Sequence, residues 1–491
     1  MEKLSPNFTL EELTYSATAC RLKIDNTPSP EIKASLINLA KNVLQPIRNK
    51  WGQPIIVTSG YRCPLVNKAV GGAAGSQHCF DAKTEILTET GWKTYSTISK
   101  DDKVLSYNLG KDEIEVTPID SIIIRNHKGK MMHINTLCAD VMVTDKHRMM
   151  VRYTGHKYVR KGNNNISPEG QVYFDSLKTD NDKYHFELAD EVFGKRRLYK
   201  CASIYNGNNT TNINLLKFCL AFVCDGYWCK KNKSLSMGFR FKKERKIEYL
   251  QKLAKELGWE YTMRVDKEGV TNFYFRSCYA RIVNQLVTIS KELPYSLIHL
   301  SVADKLELLR CYTFFDGHVD ERDDRGRMSI VSTVRQNADI LQIMAITSGL
   351  RAAIFTKEST IYSIKGITGH TKSAHLITIS PRNETRCNEV GYEWIDYDGV
   401  VWCVNNRNTT VITRRNGKVS IQGNCLGEAA DIKAVNIADN AKLYRLIERM
   451  VKSGELTVGQ CIWEYGSSKN PKWIHVSLPT DRHKNEFFRI K

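Results

Sequence analysis

No uninterrupted apolar run of ~18 residues occurs in this chain, so no membrane-spanning helix is expected. The N-terminus, Met1-Glu2-Lys3-Leu4-Ser5-Pro6, has no basic stretch leading into an apolar one, which argues against a secretory leader. The 14 cysteines follow no spacing that would frame a disulfide scaffold, and Cys219, Cys224 and Cys311 sit in apolar, helix-like runs. That pattern fits reduced thiols and a cytoplasmic location. Histidine is missing from every position between His375 and His475, a gap that bears on the chemistry below. What remains has ordinary proportions: 42% apolar, 25% charged and, at ~150 residues per domain, about three domains in 491 residues.

Charge is out of balance. The net charge is +19, and residues 1–78 hold nine basic and five acidic side chains, residues 425–491 eleven and eight. The stretch between them therefore carries +12. A surplus of that size suits a polyanionic partner such as nucleic acid, because neutralised phosphates release counterions. It equally suits a lysine-rich surface that only keeps the protein soluble, and charge alone does not choose.

The texture of the chain changes at Cys79 and again at Asn424. Residues 30–50 predict a helix. Ser29-Pro30-Glu31 offers a cap, a proline at the first helical position and an acid in the first turn, and Ile32, Leu36, Leu39, Val43 and Ile47 recur at helical spacing. Pro54-Ile55-Ile56-Val57-Thr58 reads as a buried strand, and a glycine-rich run leads into Ser76-Gln77-His78. From Cys79 onward, residues 84–88, 102–107 and 141–144 alternate as half-buried strands do, which predicts a compact all-β unit. The same texture returns at 399–404, 410–413 and 418–421 and stops at Gln422-Gly423-Asn424. Beyond Cys425 the pattern is mixed, with a helix over 439–453 closed by Gly454 and strands around Ile462-Trp463-Glu464 and Trp473-Ile474-His475.

Between the two β-rich blocks lies a repeat. Leu215 to Gly226 is an apolar helix ending in Asp225-Gly226, and Leu308 to Gly317 repeats it, ending in Asp316-Gly317. Each is followed by basic, strand-like sequence, Gly238-Phe239-Arg240-Phe241-Lys242-Lys243 and Arg327-Met328-Ser329-Ile330.

A cysteine that opens such a block, with an asparagine and a second cysteine closing it, permits a specific reaction series. The Cys79 thiolate can attack the carbonyl of His78 to form a thioester, and Cys425 can take over the acyl group by thiol exchange. Asn424 can then cyclise on its own carbonyl and cut the chain, and an S-to-N shift restores a peptide bond. Thr144 and His147 are suited to polarise and protonate the first bond. Cys79 with Thr84, Leu87 and Gly91, then Thr144-Asp145-Lys146-His147, Trp402-Cys403 and Gly423-Asn424-Cys425 resemble the Hint-fold inteins, in the same order. The resemblance implies Cys79 as first nucleophile, Thr144 and His147 as its helpers and Cys403 as an aid to exchange. It further implies Asn424 as the cyclising residue and Cys425 as acceptor, with no cofactor for splicing. One departure stands out: inteins often carry histidine before the terminal asparagine, and here Gly423 stands instead.

The two helix–Asp–Gly units resemble the paired LAGLIDADG motifs of monomeric homing endonucleases. That likeness implies that Asp225 and Asp316 hold magnesium for phosphodiester hydrolysis, with double-stranded DNA as partner, the homing site being the same gene without the insertion. Removing 79–424 takes out 346 residues and joins 145, bringing His78 seven positions from Asp431. His475 can supply a third ligand, which completes two histidines and a carboxylate, a hydrolytic zinc pattern. Glu464 is the available general base, and Arg62 can steady an oxyanion or a substrate carboxylate. Ser59-Gly60-Tyr61-Arg62, Ser76-x-His78 with Asp431, and Trp473-x-His475 resemble the zinc D-Ala-D-Ala carboxypeptidases, which implies a peptidoglycan stem peptide as substrate and action at the cell wall or as a phage virion or lysis protein.

The expected architecture is therefore multidomain. An all-β, horseshoe-like Hint splicing domain (79–200 and 389–424) carries an α+β LAGLIDADG endonuclease (201–388). Two halves of a small α+β zinc peptidase (1–78 and 425–491) flank it. The rival readings are a Hint-type protein that cleaves without ligating, and an intein with an inactive endonuclease and a non-catalytic wall-binding host.

Overall fold

The computed structural model describes residues 2–28, 30–63, 66, 69, 79–153, 184–231, 234–320, 326–364, 367–423, 429–479 and 485–490. Ser29, the glycine-rich run 71–75, His78, Asn424 and Cys425 lie outside the described residues, and with them the readings made there.

The two ends of the chain build one sheet. Its order is Ile55–Ser59, Ala429–Ala434, Pro471–Ser477, Gln460–Gly466 and Glu486–Ile490, with only the last pair parallel. Two helices cover one face. The first runs Pro30–Leu39, widens into a π-helical turn at Ala40–Leu44 and continues through Gln45–Trp51. Pro46 explains the widening, since its ring would strike the carbonyl four residues earlier and it has no N–H to offer it. The second helix, Asn440–Lys452, is followed by Gly454 in the left-handed region at φ 79°. Leu36, Val43, Ile47, Leu443, Ile447 and Ile474 meet in a single core drawn from both ends. The strand expected to be buried at 54–58 is half-buried instead. Ile55 packs inward and Ile56 is exposed, because helices cover only one side of the sheet.

The middle of the chain forms a different body. Phe80–Asp81, Asp140–Thr144, Ser121–Asn135 and Tyr392–Asn405 close a four-stranded barrel. The two long strands pair from Ser121 opposite Asn405 to Ile134 opposite Tyr392. Met131, Met132, Val143, Trp402 and Val404 are buried in the core built on and around the barrel.

A second sheet runs unbroken from barrel-side strands into the repeat region. Glu113–Pro118, Lys103–Asn108, Glu85–Thr88, Thr410–Arg415 and Lys418–Gly423 lead to Arg351–Lys357, Ala374–Ser380, Met328–Ser332 and Gly317–Val319. The join is Ala353 opposite Lys418. Each apolar helix of the repeat, Ile213–Asp225 and Val302–Asp316, is followed by four strands of one sheet, the second set being interrupted by the separate hairpin Ile361–Ile364 and Ile367–His370. Both sets lie in the order first, second, fourth, third, so the duplication seen in the sequence extends to topology.

Candidate active sites

Three sites can be built from these elements. In the sheet made by the chain ends, Asp431 stands directly opposite His475 and, on its other side, opposite Ser59. Alternation sends Ala430, Ile432, Ile474 and Val476 to the core and leaves Asp431, Trp473 and His475 on the other face. His475 Nδ1 lies 2.9 Å from Asp431 Oδ1, and the Thr58 hydroxyl donates to the Asp431 carbonyl at 3.0 Å. Glu464 pairs with Trp473 across the strands and accepts its indole N–H at 2.7 Å, so it reaches this face two residues along from His475. Arg62 is half-buried, three residues beyond Ser59. Among the described residues no group of three metal-binding side chains occurs. The pair that does occur suits zinc, since donors at ~2.0–2.1 Å from a tetrahedral ion stand about 3.3 Å apart.

The second site lies where the barrel begins. Cys79 is fully buried. Its N–H donates to Thr144 Oγ1 at 3.1 Å, and the Thr144 N–H donates to the Cys79 carbonyl at 3.1 Å. The His147 N–H turns back to the Thr144 carbonyl at 3.0 Å, and its ring lies 4.5 Å from that of Phe80. Trp402 is opposite Phe80, so one further step of the same register sets Cys403 across from Cys79. Cys403 is buried, with its thiol 3.5 Å from the Val404 carbonyl. At the far end, Gly423 has a steric reason to be glycine. A Cβ there would stand 2.8 Å from both Arg148 Cβ and the Phe186 ring, so histidine does not fit beside the neighbouring strand.

The third site lies where the two apolar helices end. Lys246 Nζ is 2.5 Å from Asp225 Oδ2 and 4.0 Å from Asp316 Oδ1, a single ammonium held by both carboxylates. Burial, together with the Asp225 charge, raises the Asp316 carboxyl above its usual range despite Lys246. Each acid is followed by glycine for lack of space. A Cβ at Gly226 would meet the Phe222 ring at 2.2 Å, and one at Gly317 the Ser329 carbonyl at 2.6 Å. Two carboxylates without a third protein ligand suit magnesium, which keeps waters and takes substrate phosphate oxygens. Sequence reasoning missed Lys246. Its signal was a lysine four and seven residues before Leu250 and Leu253, on the apolar stripe of the helix Glu244–Glu256.

A model of the Peptidase M15 family matches residues 6–93, running past Cys79 into the first strands of the middle body. Among curated proteins, a ribonucleoside-diphosphate reductase subunit beta of Aquifex aeolicus is 23% identical over 371 residues, 71% of this chain and 50% of that protein. An ATP-dependent Clp protease proteolytic subunit of Chlamydomonas moewusii is 27% identical over 128 residues, 26% of this chain and 10% of that protein. The chain thus spans half or less of the curated relatives it matches. Among solved structures, a splice-inactive, glutathione-linked variant of the AceL NrdHF class 3 split intein is covered over 99% of its length and 71% of this chain, at 7% identity and TM-score 0.23. I-DmoI in complex with DNA and manganese is covered over 91% of its length and 34% of this chain, at 16% identity and TM-score 0.23. The N-terminal LAGLIDADG domain of DUF199/WhiA is covered over 76% of its length and 35% of this chain, at 11% identity and TM-score 0.22.

Proposed function

We propose that the chain is a self-splicing precursor of a zinc peptidase and carries a DNA endonuclease inside its splicing module. The observation that carries this reading is the sheet and core assembled from residues before 62 and after 428, interrupted by a body with cores of its own. The Peptidase M15 match to the N-terminal part agrees with it. So do the curated relatives. The two flanks hold 145 residues, so a match over 71% of the chain must include more than half of the middle, and the matched proteins bear unrelated enzyme names. A shared insertion explains both.

In the splicing series the scissile nitrogen is that of Cys79, and its hydrogen already points at Thr144 Oγ1. Thr144 fixes the plane of that amide while the Cys79 sulfur attacks the His78 carbonyl, and His147 supplies the proton as the nitrogen leaves. Cys403, across the strand, assists transfer of the acyl group to Cys425. Asn424 then cyclises without a neighbouring histidine in the chain, and His147 is the candidate for that help, since Gly423 lies against Arg148, the residue after it. Once joined, His78, Asp431 and His475 would hold zinc, which supplies an acidified water and a polarised carbonyl. Glu464 takes the proton from the attacking water, and Arg62 steadies the developing oxyanion of a wall peptide. In the excised segment Asp225 and Asp316 would hold magnesium at the scissile phosphodiester, and the basic strands bind the DNA backbone.

Expression followed by intact-mass measurement tests the core of the reading. A ligated 145-residue product with a free 346-residue fragment is expected, and none of either from Cys79→Ala. Unjoined fragments would mean cleavage without ligation and overturn the splicing reading. Asp225→Asn with Asp316→Asn should abolish cleavage of a DNA duplex spanning the uninterrupted gene while leaving splicing within about threefold. Retained DNA cleavage would remove these acids from the metal site.

A further inference from the structure

Arg414 and Arg415 are adjacent on the strand Thr410–Arg415 and point to opposite sides of it. Arg414, 1% exposed, forks onto Glu85 with its Nε and Nη2 at 2.6 and 2.7 Å. Its remaining nitrogen donates to Asp339 at 2.5 Å and Gln342 at 3.1 Å. Glu85 belongs to the barrel-side sheet, whereas Asp339 and Gln342 lie on the helix Arg335–Ile346 of the repeat region. Arg415 Nε donates to both oxygens of Asp81, at 3.2 and 3.1 Å, and its Nη1 reaches Asp140 at 2.5 Å. Asp81 is two residues from Cys79.

We propose that this arginine pair is the positioning hub of the splicing site, and that the insert helix Arg335–Ile346 is a working part of it. The inference rests on the splicing reading above. A buried guanidinium needs its full set of acceptors, and here half of them come from the insert. The same helix holds the turn that follows the arginines. Gln342 Nε2 donates to the Gly417 carbonyl at 2.7 Å, and the Ile354 N–H donates to it at 3.0 Å. Asn416 and Gly417 both have positive φ, at 46° and 78°, the two-residue turn that matches strand twist. A Cβ at 417 would stand 2.0 Å from the Ile354 carbonyl, so insert and turn are fitted to each other. A shift of the helix therefore moves the strand, and the strand carries Arg415, which grips Asp81 beside the nucleophile.

The test uses the full chain with Asn424→Ala and Cys425→Ala, in which only the first step operates, and dithiothreitol to capture the Cys79 thioester. Asp339→Asn should slow thiol-induced cleavage about tenfold, and Asp339→Glu should bring it back within about threefold. Asp81→Asn should slow it too, and the double variant less than the product of the singles, because one hub is broken twice. Wild-type rates for Asp339→Asn, or strictly multiplicative effects, overturn the proposal. Should Asp339→Asn fail to stay soluble, Gln342→Leu removes the neutral acceptor and the Gly417 bond, and a wild-type rate there overturns it equally. No cleavage in the parent chain would instead refute the splicing reading itself.

Discussion

The molecule contains two nested interruptions, and they are handled in opposite ways. The outer one leaves its host alone. Among the described residues the host sheet pairs only with itself and its core draws on no residue from 79–423. The inner one is fused to its surroundings. One sheet crosses from the barrel-side strands into the repeat region, and one core joins Leu87, Leu105, Ile412 and Ile421 to Phe222, Leu309 and Ile343. A segment that must leave has to be foldable without its flanks. A segment that stays is free to share strands, core and buried charge. On the splicing reading, autonomy is thus built at the boundary where the chain would be cut, and absent where it would not.

The sharpest way to break this contrast is deletion. A chain lacking 79–424 should fold and bind one zinc, whereas removing 201–388 from the precursor should cut splicing about 100-fold or more, since it strips one side from a shared core and a buried arginine. Equal tolerance of both deletions, read by circular dichroism and intact mass, would erase the difference. Within the joined host, His475→Ala should weaken zinc binding at least about 100-fold by calorimetry, while Glu464→Gln keeps the metal and loses hydrolysis. The smallest effect separates barrel from host by pH. Burial raises the Asp140 carboxyl, but hydrogen bonds from His133, Asn416 and Arg415 outweigh it and hold it down at about 2. Its contribution of about 2 kcal/mol is present above the ordinary carboxyl value and is lost as pH falls towards 2. The hydrogen bond that His133 donates to Asp140, set against burial, raises the His133 imidazole above its ordinary value. The stability it adds is full below 6.5 and is lost as pH rises through the folded value. Barrel unfolding by denaturant should therefore be hardest between these limits, and Asp140→Asn should flatten the acid side.

Local pattern carried much of the fold. The helix expected at 30–50 runs from Pro30 to Trp51, and the short strands around 85–88, 103–108 and 410–415 stand within a residue or two of where alternation puts them. The long pairing of Ser121–Asn135 with Tyr392–Asn405 was not legible, because its partners are some 270 residues apart and neither strand announces the other. The candidate residues that the structure brings together followed the same division. Asp225 and Asp316 were marked by their repeat, and Cys79, Thr144 and His147 by their order. Lys246, Arg414 and Arg415 were not, since a lysine or arginine reads as surface charge until the carboxylates that bury it are in place.

The central strand of the host sheet, Ala429–Ala434, has a consequence for synthesis. It lies between Ile55–Ser59 and Pro471–Ser477, so the first strand waits for a neighbour that follows some 370 residues later. At 5–20 residues per second that is roughly 20–75 s on the ribosome. Throughout that interval a β-edge stands open, and the apolar side of the long helix has only Leu4, Phe8, Leu13 and Ile55 of its core to pack against. The four-stranded barrel, complete only after Asn405, closes before the sheet of the chain ends does. The order of emergence from the ribosome thus completes the barrel of the middle body before the sheet that flanks it.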